Sequence, residues 1–250
     1  MSSAPKARSR SPRTSGPLML VLGIETSTPQ ASVAIGSEQG VVGSCLISRG
    51  TTSGEFVLPA IQFLMNQTEI SYRNLSAVAV GVGPGLFTGM RVGLATGKTL
   101  AQALSVPIVG IASLDLLAYE ARYSSKSICP VLDAKRKEVF FGFYRQVPGG
   151  VTRTSEFMIG SPSRLVAELT GRAEDTLLLG SGALLYRKEL EASEAVEFGS
   201  IANSFPRATS LVELAIPRLM REEYSRVFDI EPLYMRRSDA ELNWERTKRG

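Results

Sequence analysis

From Leu18 onward the apolar positions fall into short runs broken by turn residues. Leu18–Ile24, Ala31–Ile35 and Val41–Ile47 are separated by Thr28-Pro29-Gln30 and by Ser37–Gly40, which predicts two hairpin-linked strands and a third. A helix is expected over Phe56–Thr68, with Pro59 in its first turn, where a missing N–H is tolerated. Ala77–Val80 is an apolar strand that runs into a Gly-Pro-Gly loop. A helix over Thr88–Leu104 and a strand over Ile108–Ile111 follow, so the first half reads βββαβαβ. The second half repeats the order: a helix over Ser113–Arg122, strands over Ile128–Asp133 and Glu138–Tyr144, and an extended run over Val151–Ile159. Next come a helix over Ser163–Thr170, a strand over Leu177–Leu179, a Gly180-Ser181-Gly182 loop and a helix over Ala183–Glu191. A last helix, Ala208–Glu222, is expected to kink or end at Pro217. Two βββαβα halves predict a doubled α/β fold with a cleft between lobes.

The stretch Gly81–Leu104, GVGPGLFTGMRVGLATGKTLAQAL, organises the chain. Gly81, Gly83, Gly85 and Gly89 allow backbone N–H groups to converge, and the helix that follows adds its positive end. The loop is therefore an anion-binding candidate, although the same spacing also serves a bare tight turn. It is not a Walker A loop, since no Gly-Lys-Ser/Thr follows. Gly89, Gly93, Gly97 and Ala101 recur every four residues and lie along one stripe. Each interior glycine costs about 1 kcal/mol against alanine, so something must approach this helix closely. The polar strip of the helix is narrow, formed by Arg91, Lys98 and Gln102, and the apolar arc of Phe56–Thr68 is equally wide. A helix on one sheet needs an arc only somewhat over 100°, so both helices are expected to serve two packing surfaces.

Composition adds limits. The chain has 250 residues with 44% hydrophobic content, enough for one large domain or two modest lobes. Its net charge of +4 comes from Lys6, Arg8, Arg10 and Arg13 in residues 1–17, which carry no acid, so the body is balanced and shows no nucleic-acid footprint in the sequence. Residues 1–17 lack an apolar signal region and are expected to be a disordered basic tail. No stretch reaches the ~18 apolar residues of a membrane span. Cys45 and Cys129 form no paired motif, which favours a reducing, cytoplasmic setting.

Leu22-Gly23-Ile24-Glu25-Thr26-Ser27-Thr28, the run GPGLFTGMRVGL, Val106-Pro107-Ile108-Val109-Gly110-Ile111, Asp133-Ala134-Lys135, Gly180-Ser181-Gly182-Ala183 and Glu231-Pro232-Leu233-Tyr234 come in the order found in the TsaB (YeaZ) family. The chain resembles that family over roughly residues 18–237. The resemblance implies an ASKHA (actin-like) α/β fold of two lobes. The boundaries it suggests are an N-terminal lobe over 18–112 joined by 208–222, a C-terminal lobe over 113–207, and a tail over 223–250. It implies a non-catalytic subunit that pairs with a TsaD homologue and helps recruit the ATPase TsaE, serving threonylcarbamoyl transfer to adenosine 37 of tRNA. Contact with tRNA would then be indirect, through the complex, and the chain alone could form a homodimer.

The residues separate a scaffold from a catalyst. TsaD-like proteins hold a metal through an HxxxH pair; Ser113 and Leu117 stand at the matching positions, and the chain has no histidine. A TsaD-type metal site is therefore not expected, and neither is a His-dependent nucleophile. Glu25, Thr26 and Ser27 match the first phosphate loop of ASKHA kinases, and Gly83 and Gly85 the second, so ATP or ADP binding in the complex remains open while firm binding by the chain alone is not expected. The rival reading is a stand-alone ATP-dependent ASKHA phosphotransferase. It would need acids near both loops to hold Mg²⁺, and none occurs from Ala77 to Leu114. For the partner contact, Leu64 and Met65 on the first helix and Met90 and Leu94 on the second are expected to face outward. Gly93 and Gly97 would let backbones approach, within the lobe or across the contact.

Overall fold

The computed structural model describes residues 18–48 and 53–236. The basic tail and residues 237–250 lie outside them. Among the described residues the strands form two sheets. The first has the order β3-β2-β1-β4-β5, with β1 Leu20–Glu25, β2 Ala31–Ser37, β3 Gly40–Ile47, β4 Leu75–Gly83 and β5 Ile108–Ala112. Hairpins make β1–β2 and β2–β3 antiparallel, while β4 and β5 run parallel to β1 through helical crossovers. Helices α1 (Ser53–Thr68) and α2 (Phe87–Leu104) cover one face of this sheet, where Leu22, Ile24, Val78 and Val80 meet Val57, Ile61, Leu64 and Leu94. Helix α7 (Ala208–Met220) covers the other, against Val21, Ala34, Ala77 and Val109. Burial on both faces is the reason these strands read as apolar runs rather than as alternation.

The second sheet has the order β10-β7-β6-β11-β12, with β8 pairing β6 and β9. Its strands are β6 Ser127–Lys135, β7 Glu138–Phe141, β8 Tyr144–Val147, β9 Gly150–Arg153, β10 Met158–Gly160, β11 Thr176–Leu179 and β12 Val196–Phe198. Helix α4 (Pro162–Arg172) packs on one face through Leu165 and Leu169. Helix α3 (Ser113–Glu120) packs on the other through Leu114, Leu117 and Ala118. Leu116 of α3 instead enters the first lobe's core, so this helix is shared between the lobes.

Several boundaries differ from the sequence reading. The runs Glu138–Tyr144 and Val151–Ile159 each split in two, because the chain changes partner midway: β7 pairs β6 and β10, whereas β8 pairs β6 and β9. The break at Gly142-Phe143 is held by the Phe143 N–H donating to Ser155 Oγ at 3.0 Å. The helix expected over Ala183–Glu191 is two short ones, α5 (Ser181–Leu185) and α6 (Arg187–Leu190). Strand β12 has no sequence signal of its own and is defined by parallel pairing with β11. Helix α7 continues past Pro217 to Met220. Pro217 and Glu213, whose carbonyl loses its partner, are both on the exposed face, where water can replace the bond.

After α7 the chain forms a strap across both lobes. Ser225 bridges Ile108 at the open edge of β5, and Ile230 is buried where a Cβ on Gly110 would lie 2.7 Å from its Cδ1. The Leu233 N–H donates to the Val82 carbonyl at 2.7 Å, Tyr234 stacks on Phe87 at 5.0 Å, and Met235 packs into the second lobe's core. Arg236 donates to the Ala134 carbonyl at 3.3 Å and pairs with Glu138.

Candidate functional site

The end of β1 runs directly onto the glycine face of α2. Thr26 Oγ1 donates to the Gly89 carbonyl at 2.8 Å, and the Leu86 N–H donates to the Ser27 carbonyl at 2.6 Å. A Cβ placed on Gly85 would lie 2.1 Å from the Ser27 carbonyl oxygen, on Gly89 2.0 Å from that of Thr26, and on Gly93 2.2 Å from Thr26 Oγ1. Gly97 meets Val80 at 2.3 Å in the same way. The stripe is thus used inside the lobe, by the Glu25–Ser27 loop and by β4.

Glu25 lies at the centre of this junction and is fully buried. The Ser27 N–H donates to its Oε1 at 2.7 Å, the Ser113 hydroxyl donates to its Oε2 at 3.4 Å, and the Ser27 and Ser113 hydroxyls are 2.7 Å apart. Burial pushes its carboxyl above the usual range, against the opposing effect of the Ser27, Ser113 and Thr26 hydrogen bonds. Gly81 exists to admit it: a Cβ there would lie 1.8 Å from Oε2.

This junction does not fit a phosphate. The Leu86 and Ser27 amides, which would serve an anion, are bound to the chain's own carbonyl and carboxylate, and the two loops fill each other's space. The structure therefore brings Glu25, Thr26, Ser27, Gly83, Gly85 and Gly93 together, but as a packed joint. Gly83 has φ +95°, and a Cβ there would meet the Met90 sulfur at 2.2 Å. Ser113, considered only as the position of a missing histidine, is part of the joint. Its signal was its place at the end of β5, where parallel strands bring their last residues side by side. Leu117 is buried in the second lobe. No group of three or more His, Cys, Asp or Glu residues suited to a metal occurs among the described residues.

The outward residues expected for a partner are corrected. Leu64, Met65, Met90 and Leu94 are 3–5% exposed, in the chain's own core. The wide apolar arcs hid two different faces, and periodicity alone could not say which was turned to the sheet. The exposed face of α1 carries Leu58 and Phe63, each 56% exposed, and that of α2 carries Arg91, Ala95, Thr99 and Gln102.

Two cavities open between the lobes. One of about 230 Å³ lies between Ser27–Pro29, Leu86, Asp133, Ser181 and Phe205. The other, of about 370 Å³, lies between the β4–α2 loop, the β6–β7 turn and the strap. Asp133, whose Oδ2 lies 2.7 Å from Lys135 Nζ, is two residues from the end of β6 and lines the smaller cavity.

Residues 52–244 match the family described as "TsaD: tRNA N6-adenosine threonylcarbamoyltransferase". The Bacillus subtilis tRNA threonylcarbamoyladenosine biosynthesis protein TsaB is 28% identical over 231 residues, covering 90% of this chain and 98% of the relative. The Escherichia coli TsaB is 24% identical over 226 residues, covering 89% and 96%. The solved structure of YeaZ from Pseudomonas aeruginosa superposes with a TM-score of 0.76 at 25% identity, covering 87% of this chain and all of that one. With its two-lobed ASKHA α/β fold, this chain belongs to the TsaD family of threonylcarbamoyltransferase proteins, in its TsaB (YeaZ) branch.

Proposed function

We propose that the chain is a non-catalytic subunit of tRNA threonylcarbamoyladenosine synthesis that binds and activates a TsaD homologue, with the ATPase TsaE joining the pair. The observation that carries this reading is the closed joint at Glu25–Ser27. The amides and the carboxylate that a phosphotransferase would direct at ATP and Mg²⁺ are satisfied by one another, and Glu25 is sealed from solvent. The rival phosphotransferase reading would leave all of these groups unused.

The partner is proposed to dock on the outward face of α1 and α2, where α1 exposes Leu58 and Phe63 and α2 exposes the small residues Ala95 and Thr99. The free chain would pair with a second copy through this same face. Isothermal titration against the TsaD homologue tests the contact. Leu58→Glu with Phe63→Glu should weaken pairing at least tenfold while the chain stays folded, since each large apolar side chain contributes roughly 1.5–3 kcal/mol when buried. Undiminished affinity in the folded double variant would place the contact elsewhere.

The catalytic assignment is tested by reconstituting tRNA modification with the TsaD homologue and TsaE and omitting each in turn. The chain alone should neither hydrolyse ATP nor modify tRNA, and its omission should abolish modification. ATP turnover by the purified chain that disappears in Thr26→Ala would overturn the scaffold reading.

A further inference from the structure

The sequence places its unbalanced positive charge in the N-terminal tail, but folding assembles a second basic cluster from three distant segments. Lys135 and Arg136 of the β6–β7 turn and Arg236 of the strap line the 370 Å³ cavity, and among the described residues no Asp or Glu lines it. Arg91 stands beside it, 3.7 Å over the Phe87 ring and donating to the Tyr234 hydroxyl at 2.9 Å, so aromatic groups hold its charge in place without neutralising it. Asp133 pairs with Lys135, and Glu138 with Arg236. Beneath this mouth the lining is apolar: Leu86, Met90, Phe140 and Met235. Tyr234, 43% exposed, presents ring surface at the opening.

The turn itself is unusual for its sequence. Lys135, Arg136 and Lys137 are exposed and have φ of +62°, +55° and +61°, and Arg136-Lys137 forms the two-residue connection of a hairpin. Such a turn favours Asn-Gly, whose residues adopt positive φ readily. Long cationic side chains here work against the local backbone preference, and a charge requirement at this point accounts for them.

We propose that this cluster contacts the phosphate backbone of single-stranded RNA, with one nucleotide unit seated in the cavity. Cations along a groove beside aromatic surface are what such strands use, and the cavity falls in the ~300–1,000 Å³ range of small-ligand sites. The inference rests on the tRNA-modification reading and replaces the indirect tRNA contact expected there with a direct one. A free nucleotide shares the chemistry and is distinguished by the test.

The test is fluorescence anisotropy of a labelled single-stranded RNA oligonucleotide and of a tRNA transcript, titrated with the full chain between about 50 and 200 mM salt. The turn-optimised variant Arg136→Asn with Lys137→Gly should melt no lower than the parent. It should lose about tenfold in RNA affinity at low salt, with a log–log salt slope shallower by about 1 to 1.5. Arg136→Gln with Lys137→Gln keeps side-chain length and should show the same loss. Unchanged RNA affinity and slope in both variants would overturn the proposal. So would displacement of the RNA by AMP at an equal nucleotide concentration, which assigns the cavity to free nucleotides. If the chain is required in the reconstituted reaction yet these variants keep their RNA affinity, only this inference fails.

Discussion

Glu25 and the glycines around it show how a single position can reverse an expected sign. A carboxyl raised by burial binds its proton more tightly when folded than when unfolded. Its contribution to stability is therefore complete below the ordinary carboxylate range and is lost as pH rises towards the folded-state value. Glu25→Gln keeps an acceptor for the Ser27 N–H and a donor for Ser113. It should melt at least as high as the parent at pH 7.5, with the gap closing towards pH 4.5 in thermal scans. The glycines give a matched pair. Helix propensity alone predicts that alanine stabilises by about 1 kcal/mol at an interior helical glycine. At Gly171 of α4 a Cβ meets nothing within 4 Å, and Gly171→Ala should show a gain of about 0.5–1 kcal/mol in urea denaturation. At Gly89 the Cβ meets the Thr26 carbonyl at 2.0 Å, so Gly89→Ala should instead lose about 1–3 kcal/mol.

At the scale of elements, α1 and α2 carry the argument. Each packs one arc on the five-stranded sheet; the outward face of α1 keeps the apolar Leu58 and Phe63, while that of α2 is small and polar. The inward arc holds Leu64, Met65, Met90 and Leu94. A charge at Leu94 is therefore expected to unfold the lobe: Leu94→Glu should give no cooperative thermal transition at 37 °C or above, whereas Phe63→Glu should melt within a few degrees of the parent. Truncating a buried leucine costs about 2–5 kcal/mol before any charge is counted. Circular dichroism on the two variants separates a core position from a contact position.

Over the whole molecule, the strap joins what the chain order separates. Ile230 seats against Gly110 and Val82 in the first lobe, and five residues on, Met235 enters the second lobe's core. The strap also roofs the larger cavity and fixes Tyr234 over Phe87. Ile230→Ala should cost about 2–4 kcal/mol by denaturant melts. It should also expose the segment after Met220 to limited proteolysis before the lobes themselves are cut; equal protection in parent and variant would show that the strap is held by other contacts.

The sequence by itself determined the element order of the first half, the glycine-striped helix, the absence of histidine and the family. Those rest on local periodicity, on turn residues and on motifs that keep their spacing whatever the rest of the chain does. Glu25, Thr26, Ser27, Gly83 and Gly85 were legible as a group, since the loops that hold them end neighbouring strands, whereas Gly93, expected at the partner contact, joined them only in the folded chain. Only tertiary structure decided what that group is for, because whether a glycine notch holds a phosphate or the chain's own Thr26 carbonyl depends on how closely β1 approaches α2. The same holds for the inward turn of Leu64 and Leu94, as a helix apolar on two sides gives no register for its sheet. It holds too for the basic cluster: Arg91, Lys135 and Arg236 are far apart in sequence, and only the strap brings them to one cavity.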